Sequence, residues 1–309
     1  MEILNMKNAD LMRYASDAVK KYLGSEVRNI KCIGGGSNGK AFKTVLDDGR
    51  YIVVKAFREQ GNQNKEASQL RILSANTSVT MPEVLFVHAD EKSALMGMTF
   101  IEGKNALDPM FLFKSKTQKL EFAQAVVDGV SQWHKVTGEK FGELDNPRFT
   151  SWCEFYRSEK LEPWIYGLDK LCREGKYGKN DLELLKNATR IFDEICEEPE
   201  NPVLIHGDLN IMNIMADPKT MKLTGFIDPS GSMWADREYD LYQFLNMWGG
   251  CFGIYEKYKE VHNLSELSDF RVAYYAAIHE AACRLGGGLI FPMWEKLNNM
   301  RLKKIMDKY

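Results

Sequence analysis

The first hundred residues consist of short runs in which apolar and polar positions alternate, with one helical run among them. Alternation predicts strands, because successive side chains of a strand point to opposite faces. Asp48-Gly49, between the second and third runs, predicts a tight hairpin turn. Ala67, Leu70 and Leu73 recur at helical spacing and predict a helix. The five strand-like runs read RNIKCI, KAFKTVL, RYIVVKAF, EVLFVH and ALMGMTFI.

Beyond the polar segment EGKN, apolar positions recur mainly at helical spacing. One stripe contains Leu120, Ala123 and Val127, and two further stripes follow it. The short β-like runs VLIH, NIM and KLTGFID interrupt this helical half. The pattern predicts an α+β fold with two domains. Residues 1–103 form a small antiparallel sheet with one helix, and residues 104–309 form a larger, mainly helical domain.

The composition narrows the classes of partner. Lys and Arg number 41 against 43 Asp and Glu, for a net charge of −2. We expect no nucleic-acid partner, since proteins that bind a phosphate backbone usually carry a basic excess. No segment approaches the roughly 20 apolar residues of a membrane span, so we expect no membrane partner and a cytoplasmic location. The six cysteines include no Cys-x-x-Cys pair, and we expect reduced thiols.

A glycine-rich segment joins the first two predicted strands. Glycines let backbone N–H groups approach phosphate oxygens without obstruction by a Cβ atom. Most glycine-rich hairpins are simple turns, so this segment alone is weak evidence for a phosphate site. The candidate phosphate-binding residues are Gly34, Gly35, Gly36, Ser37 and Asn38.

Lys55 ends the apolar run YIVVK and is a candidate for contact with nucleotide phosphates. Glu66 lies near the start of the predicted helix, where it could pair with Lys55 and hold the ammonium group in place. Two ordinary explanations stay open for these residues. Most strand lysines are solvated, and a glutamate near a helix N-terminus is favoured by the helix dipole.

The segment LIHGDLNIMNIM places polar side chains in an otherwise apolar stretch. His206, Asp208 and Asn213 fit the spacing H-x-D-x-x-x-x-N of the catalytic loop of kinases, in which the aspartate accepts or orients the proton of a substrate hydroxyl. Asn213 and Asp228, which ends the run KLTGFID, are then candidate Mg²⁺ ligands. A buried turn capped by His206 is the alternative for this segment taken alone.

The order of these motifs along the chain indicates transfer of a phosphoryl group from a nucleotide. Only PSGSMWA separates Asp228 from the segment DREYDL. This leaves no room for the platform on which protein kinases bind a peptide. We therefore expect a small or locally exposed acceptor.

The chain resembles the aminoglycoside phosphotransferase-like superfamily of kinase-fold enzymes in its HGDL....N loop and its IDP motif. It resembles the fructosamine kinase family more closely, in the segments SWCEFYRSEKLEPWI, DREYDL and WGGCFGIYEKYKEVHNL. The resemblance implies a protein-kinase-like two-lobed fold, with ATP and Mg²⁺ as cofactors. It also implies phosphorylation of a hydroxyl group of a ketosamine, the sugar adduct of an amine, including one formed on a protein lysine.

The resemblance assigns the same roles to the catalytic, metal-binding and lysine–glutamate candidates. It implies in addition that Thr99, Phe100 and Ile101 form the hinge facing adenine. Asp240, in DREYDL, corresponds to the aspartate that braces the catalytic loop in the superfamily. Nothing in the sequence indicates the oligomeric state.

The acceptor is the least constrained part of this prediction. NIM after HGDL and SGSMW after IDP depart from the family pattern where an acceptor would lie. An aminoglycoside or other small-alcohol phosphotransferase is one alternative, and a nucleotide-binding pseudokinase is another, although the lysine and both aspartates are present. Trp234 is a candidate for stacking on the substrate, whereas Trp133 and Trp152 are expected in the core.

Overall fold

The structure is a computed structural model that describes residues 7–36, 38–286 and 291–308. The chain divides into two compact units. The first contains Met1–Glu102 and Thr224–Pro229, and the second contains Gly103–Leu223 and Ser230–Tyr309. The segment Thr224–Pro229, which the sequence analysis placed in the second domain, therefore groups with the first unit.

The first unit is built on a five-stranded antiparallel sheet. Its strands are β1 (Val27–Gly35), β2 (Gly39–Leu46), β3 (Tyr51–Phe57), β4 (Val84–Ala89) and β5 (Ala94–Thr99). Each corresponds to one of the predicted runs, and they lie in the order β1-β2-β3-β5-β4. The hairpin between β2 and β3 turns at Gly49, whose φ of 89° lies in the left-handed region that favours glycine.

Two helices pack on this sheet, α1 (Asn8–Leu23) and α2 (Asn62–Ala75). The prediction of a single helix was wrong, because the apolar spacing near the N-terminus was overlooked. Leu11, Ala15 and Ala18 recur at intervals of four and three residues, and all three are buried. This face of α1 contacts β1, β3 and β5, which is the ordinary reason for such spacing.

The second unit is mainly helical, as predicted. Its α-helices are α3 (Lys116–Trp133), α4 (Trp152–Phe155), α5 (Glu162–Arg173), α6 (Lys179–Ile195), α7 (Glu238–Leu241), α8 (Ile254–His262), α9 (Leu267–Ala282) and α10 (Pro292–Met306). In α3, Leu120 is 48% exposed, because Phe122 and Val126 complete the buried face instead. Within the described ranges, no helix of the chain has the length and apolar character needed to span a bilayer.

Short strands interrupt the helical part of the chain. They are β6 (Lys104–Asn105), β7 (Phe141–Glu143), β8 (Asn146–Phe149), β9 (Val203–Ile205), β10 (Ile214–Ala216), β11 (Leu223–Phe226) and β12 (Met233–Ala235). Of these, β9, β10 and β11 correspond to the predicted runs VLIH, NIM and KLTGFID, whereas β6, β7, β8 and β12 were not predicted. Four of them form a sheet in the order β8-β7-β12-β9, and β6 pairs with β10. The chain enters the first unit within β11, at Thr224.

An aromatic cluster fills the core of the second unit. Trp152 is buried, as predicted, and its indole N–H donates to the Tyr275 hydroxyl at 2.9 Å. The Tyr156 and Tyr239 rings have centroids 5.8 and 5.3 Å from that of Trp152. Trp133 is buried as well. Large aromatic rings contribute much of the buried apolar area of a core, so this cluster holds α4, α7 and α9 together.

A disulfide joins Cys153 and Cys196, so the prediction of reduced thiols was wrong for this pair. The two cysteines are 43 residues apart in sequence, and no local spacing signals that the end of α6 lies beside α4. Glu198 strengthens the same junction, because its carboxylate accepts hydrogen bonds from the Ser151 hydroxyl and the Trp152 amide. The cysteines with free thiols are Cys32, Cys172, Cys251 and Cys283.

Candidate active site

Lys55 lies between two carboxylates of the first unit. From β3 its Nζ donates to Glu66 Oε1 at 2.9 Å and to Oε2 at 2.7 Å. The same Nζ donates to Asp228 Oδ1 at 2.7 Å. The anticipated pairing of Lys55 with Glu66 is therefore present, and Asp228 joins it. With 9% of its side chain exposed, Lys55 is not a solvated strand lysine.

Electrostatic attraction outweighs burial at this lysine. Burial lowers the pKa of Lys55, but the carboxylates of Asp228 and Glu66 raise it above its ordinary value. Burial raises the pKa of Glu66 to about 7, against the opposing effect of Lys55. The ammonium group is thus firmly protonated, and Glu66 is the member of the cluster that titrates near neutral pH.

Asp228 has an uncommon backbone conformation. Its φ of 58° lies in the left-handed region, which costs free energy for residues other than glycine, although aspartate tolerates it better than most. The side chain is 42% exposed, so the carboxylate can reach a ligand while it contacts Lys55. Strained backbone that persists at a charged residue is typical of functional sites.

The glycine-rich turn closes through backbone hydrogen bonds. The Gly36 N–H donates to the Gly39 carbonyl, and the Arg58 N–H donates to the Asn38 carbonyl, both at 2.9 Å. A Cβ atom at Gly39 would lie 2.0 Å from the Ala56 carbonyl oxygen. The approach of β3 therefore requires glycine at position 39.

Packing does not require the other glycines of this turn. A Cβ atom at Gly34 or Gly36 would meet no atom within 4 Å, and one at Gly35 would lie 3.3 Å from the Gly39 oxygen. The space beside Gly34 and Gly36 is therefore open, although the Gly36 N–H is already used within the turn. Ser37 lies outside the residues that the structure describes.

The predicted adenine hinge follows β5. Thr99 donates its amide to the Glu83 carbonyl and accepts the Glu83 amide on its hydroxyl, both at 2.9 Å. Phe100 lies beneath Lys43, whose Nζ is 3.7 Å from the ring centroid, and Ile101 is buried. The amide and hydroxyl groups of Thr99 are therefore committed to the fold. The role of residues 99–101 as an adenine hinge stays a prediction.

In the second unit, Asp240 fixes the loop that carries Asp208. Its carboxylate accepts hydrogen bonds from the amides of His206 at 3.1 Å and Gly207 at 2.8 Å. Burial raises the pKa of Asp240, but His134, whose Nε2 is 3.4 Å away, and the loop amide hold it below its ordinary value. Asp240 thus makes the bracing contacts that the family resemblance implies.

Two glycines bring a second segment against this loop. A Cβ atom at Gly207 would lie 2.0 Å from the Gly231 oxygen, and one at Gly231 would lie 2.7 Å from the Gly207 oxygen. Neither position can therefore carry a side chain without a shift of the backbone. The contact places Ser230 next to Asp208, and its hydroxyl donates to Asp208 Oδ2 at 3.3 Å.

Three amide side chains complete the surroundings of the Asp208 carboxylate. Asn210 and Gln243 donate to Oδ1 at 2.8 and 3.3 Å, and Asn213 donates to Oδ2 at 3.1 Å. Neutral donors hold the carboxylate in one orientation without removing its charge. Asp208 is therefore held in one orientation with its negative charge intact.

Asn213 and Asp228 each offer an oxygen suited to Mg²⁺. Asn213 uses its side-chain nitrogen to contact Asp208, which leaves Oδ1 available, and Lys55 contacts only Oδ1 of Asp228. No group of three or more His, Cys, Asp or Glu among the described residues could hold a metal ion.

Trp234 has neighbours other than the candidate catalytic residues. It lies in β12, where it pairs with Leu204 of β9 and Gly142 of β7. Its ring covers Gly138, where an added Cβ atom would lie 2.7 Å from the ring. This placement stabilises the β8-β7-β12-β9 sheet. Contact of Trp234 with a substrate stays a prediction.

Three of the side chains that hold Asp208 were not predicted from the sequence. Asn210 could have been found from its position inside the catalytic-loop segment. Gln243 follows Asp240 by three residues and so shares a face of one helical segment with it. No sequence pattern indicates that Ser230 lies beside Asp208, because this contact depends on the close approach of the Gly207 and Gly231 backbones.

An antiparallel sheet followed by a mainly helical chain, with a buried lysine–glutamate pair and an HGD loop, defines a kinase-like class of protein. Residues 29–270 match the APH family model, which describes a phosphotransferase enzyme family. The match spans well over half of the chain, and the chain belongs to this family.

Solved structures share the fold and confirm the predicted fold class. A candidate fructosamine-3-kinase from Thermobifida fusca superposes with a TM-score of 0.69 at 19% identity, over 94% of this chain and 98% of that one. A thermostable mutant of aminoglycoside phosphotransferase APH(4)-Ia, in complex with ADP and hygromycin B, gives 0.69 at 17% identity, over 94% and 97%. The uncharacterized protein YcbJ of Escherichia coli is 20% identical over 72% of this chain and 76% of its own length.

Proposed function

We propose that this chain is an ATP- and Mg²⁺-dependent kinase that transfers the γ-phosphoryl group to a hydroxyl group of a ketosamine. The observation that carries the proposal is the contact of Lys55 with both Glu66 and Asp228. Phosphoryl transfer uses a lysine on the nucleotide phosphates, held by a helix glutamate, and a metal-binding aspartate. Family membership supports phosphotransfer, and the choice of a ketosamine rests on the segments that resemble fructosamine kinases.

On the nucleotide side, the protein supplies positive charge and open space. Lys55 offsets charge on the inner phosphates, and the space beside Gly34 and Gly36 admits phosphate oxygens. Asn213 and Asp228 would hold Mg²⁺, which would offset further charge on the phosphates. The triphosphate thus meets opposite charge without a cluster of surface lysines.

On the acceptor side, Asp208 binds the hydroxyl group and accepts its proton. The hydroxyl oxygen forms a bond to the γ-phosphorus while the bond from that phosphorus to the β–γ bridging oxygen breaks, and ADP leaves. The fixed orientation of Asp208 limits the loss of entropy in reaching this geometry. A general base of this kind typically contributes roughly 10²- to 10⁴-fold to the rate.

Replacement of Asp208 tests the role of the base. Asp208→Asn should lower kcat at least ~100-fold, because the proton acceptor is lost, while the affinity for ATP stays nearly unchanged. Asp208→Ala is needed as a second variant, since an asparagine amide would face the donors that now surround the carboxylate. The exposed Asp145→Asn is the matched control. Near-normal turnover in folded Asp208 variants would remove this residue from the base role.

A panel of acceptors tests the substrate class. Transfer of phosphate from ATP is measured with fructosyl-lysine, ribosyl-lysine, aminoglycosides and choline. Transfer to a ketosamine that Asp208→Ala abolishes would support the proposal. Transfer only to an aminoglycoside or another alcohol would contradict the ketosamine assignment, and tight ATP binding without any transfer would favour a pseudokinase.

A further inference from the structure

A line of amide side chains in the second unit leads from α10 to the Asp208 carboxylate. Arg301 Nη1 donates to Asn298 Oδ1, and Asn298 Nδ2 donates to Asn246 Oδ1, both at 2.9 Å. Asn246 Nδ2 donates to Gln243 Oε1 at 3.5 Å, and Gln243 Nε2 donates to Asp208 Oδ1 at 3.3 Å. We call Asn298, Asn246 and Gln243 the amide relay. Its shorter bonds lie at the Arg301 end, so its arrangement is fixed most firmly there.

Every hydrogen bond of the amide relay runs in the same direction. Each amide accepts on its oxygen from the Arg301 side and donates from its nitrogen toward Asp208. The two ends determine this direction, since a guanidinium group can only donate and an ionised carboxylate can only accept. Hydrogen bonds in such a chain polarise one another in a low dielectric. The last amide therefore presents its NH2 group to Asp208.

The amide relay is buried along its whole length. Gln243, Asn246 and Asn298 expose only 2, 3 and 2% of their surface. An amide that turned over would bring two oxygens or two NH2 groups together at its neighbours, and these buried groups would lose their partners. The amides therefore cannot turn over one by one, and the relay keeps one arrangement while its ends are in place.

Arg301 is a cation without an ion pair. It is half-buried, and its guanidinium makes no salt bridge to a carboxylate among the residues that the structure describes. By contrast, Arg271 of α9 pairs with Glu238 through two nitrogen atoms, at 2.7 and 2.8 Å. A partly desolvated charge costs free energy unless a polar group compensates it. At Arg301 the compensating contact is the Asn298 oxygen, which begins the relay.

A second contact of Gln243 does not fix its orientation. Gln243 Nε2 also donates to the Tyr242 hydroxyl at 3.0 Å. Because a hydroxyl group can donate as well as accept, Tyr242 would suit either end of the amide. Asn246 has only one role, since Arg301 sets its direction through Asn298. The relay thus opposes a turned Gln243, whose oxygen would face the negative charge of Asp208.

We propose that Arg301 is a positioning residue of the catalytic loop, which holds Asp208 through the amide relay. The guanidinium fixes the Asn298 amide, and each amide fixes the next. The Gln243 NH2 group then holds Asp208 Oδ1 in place for the acceptor hydroxyl. The effect on rate rests on the proposed kinase function, because no part of the relay itself reacts.

Substitutions at the two ends of the path test its effect on the rate. Gln243→Met keeps the length of the side chain but cannot donate. It should lower kcat about 10- to 100-fold, as a lost hydrogen bond to a charged group predicts. Arg301→Met should lower kcat about tenfold, because the amides can then turn over. The KM for ATP should stay near wild type in both variants. Lys304→Met, which removes an exposed cation from α10, is the matched control.

A double-mutant cycle decides whether Arg301 acts through Gln243. In a Gln243→Met background, Arg301→Met should lower kcat no further, since the path is already broken. An equal fall of kcat in both backgrounds would overturn the proposal, because Arg301 would then affect the rate by another route. A kcat of Arg301→Met equal to that of Lys304→Met would overturn it as well.

Asn298→Asp separates the relay from the stability of α10. A carboxylate at this position still accepts from Arg301, as a charge-assisted bond, but it cannot donate to Asn246. The neighbouring amides must then turn over, so that the Gln243 oxygen faces Asp208. The Tm should stay close to that of Lys304→Met, while kcat falls at least ~10-fold. A kcat that falls only in proportion to losses of Tm would assign the relay a structural role and reject the proposal.

Nuclear magnetic resonance of side-chain amides distinguishes this inference from the proposed function, because it needs no phosphate transfer. In isotopically labelled protein, the Gln243 NH2 signals are those absent from Gln243→Met. They should move in Arg301→Met and Asn298→Asp and stay in place in Lys304→Met. Movement in a protein that transfers no phosphate would support the relay and reject the kinase. Unmoved signals in an active kinase would reject the relay and keep the kinase.

Discussion

At the scale of single residues, Lys55 is one cation that serves two carboxylates. Glu66 is buried with its oxygens directed at the ammonium group, whereas Asp228 keeps 42% of its side chain exposed. The two acids therefore depend on Lys55 to different degrees. Water can solvate Asp228 if the lysine is lost, but it cannot reach Glu66 in the same way.

Lys55→Met should lower the free energy of unfolding by about 3–5 kcal/mol, because it leaves the charge of Glu66 buried and unpaired. Chemical denaturation measures this loss. The double variant Lys55→Met/Glu66→Leu should recover most of the stability, since both buried charges are then gone. Neither variant should bind ATP normally.

The exposed Lys31→Met controls for the loss of a strand lysine. A single variant as stable as this control would show that Glu66 does not depend on Lys55 for compensation. Recovery of ATP affinity in the double variant would show that Lys55 does not contribute to ATP binding.

Some site residues can be predicted because the sequence around them has a characteristic spacing, whereas others are defined only by their contacts in the folded chain. Asp208 and Asn213 occupy one loop with fixed spacing, and Asp228 ends a nearby apolar run, so the sequence alone indicates them. Gln243 lies in an ordinary helical segment. Its role follows from its contact with Asp208, 35 residues earlier in the chain, which no local spacing can reveal.

At the scale of elements, the turn between β1 and β2 contains glycines that packing does not require, such as Gly36, and one that packing does require, Gly39. Gly36→Ala should leave the Tm nearly unchanged, because its Cβ atom would enter open space, but should raise the KM for ATP about tenfold or more. Steady-state kinetics and thermal unfolding measure the two effects.

Gly39→Ala is the contrasting variant. Its Cβ atom would collide with the Ala56 oxygen of β3, so it should destabilise the first unit by about 1–3 kcal/mol. An unchanged KM for ATP in Gly36→Ala would mean that no phosphate occupies the space beside this glycine.

The disulfide joins two elements that the sequence does not relate. Cys153→Ser should lower the stability by about 2–4 kcal/mol, as expected when a loop of 43 residues is no longer closed. Unfolding with and without a reductant measures this effect, and Cys172→Ser removes a free thiol as the control. Equal stability of both variants would show that the bond contributes nothing.

The elements themselves were predictable wherever the side-chain pattern is local. The five strands of the first unit were predicted from local runs of β-forming residues, and in β2 the buried positions Phe42, Thr44 and Leu46 do alternate with half-buried ones. Helix α1 has a comparable local pattern in Leu11, Ala15 and Ala18. It was therefore predictable from the sequence, although it was not predicted. The four-residue helix α4 has a local signal in its N-cap Ser151, and Glu198 and the disulfide stabilise it further from far along the chain.

At the scale of the whole molecule, the pH dependence of stability reports on Glu280. Its pKa rises from 4.5 to about 7 on folding, so the folded state holds its proton more tightly than the unfolded state. Its contribution to stability is complete below pH 4.5 and is lost as the pH rises through 7. Glu280→Gln should therefore gain Tm relative to wild type across this window, by about 2 °C or more.

Other groups that titrate in the same pH range affect the Tm of the variant and of the wild type equally. The difference in Tm between the two proteins therefore reports on Glu280. His279 is one of these other groups, since burial lowers its pKa to about 4 and its effect on stability has the opposite sign. Glu266→Gln, at an exposed position directly before α9, should show no such window. A difference in Tm between Glu280→Gln and wild type that does not change from pH 4.5 to 8 would contradict the raised pKa.

The first unit is not a continuous piece of chain, and this affects how it can form. Thr224–Pro229 is synthesised more than a hundred residues after Glu102. Until then Lys55 lacks Asp228, and the Thr80 carbonyl lacks the Phe226 amide that donates to it at 3.0 Å. A nascent chain that has emerged only as far as residue 102 therefore holds an unfinished unit. Folding on the ribosome must wait for the later segment, and a fragment that stops at residue 102 is a poor candidate for separate expression.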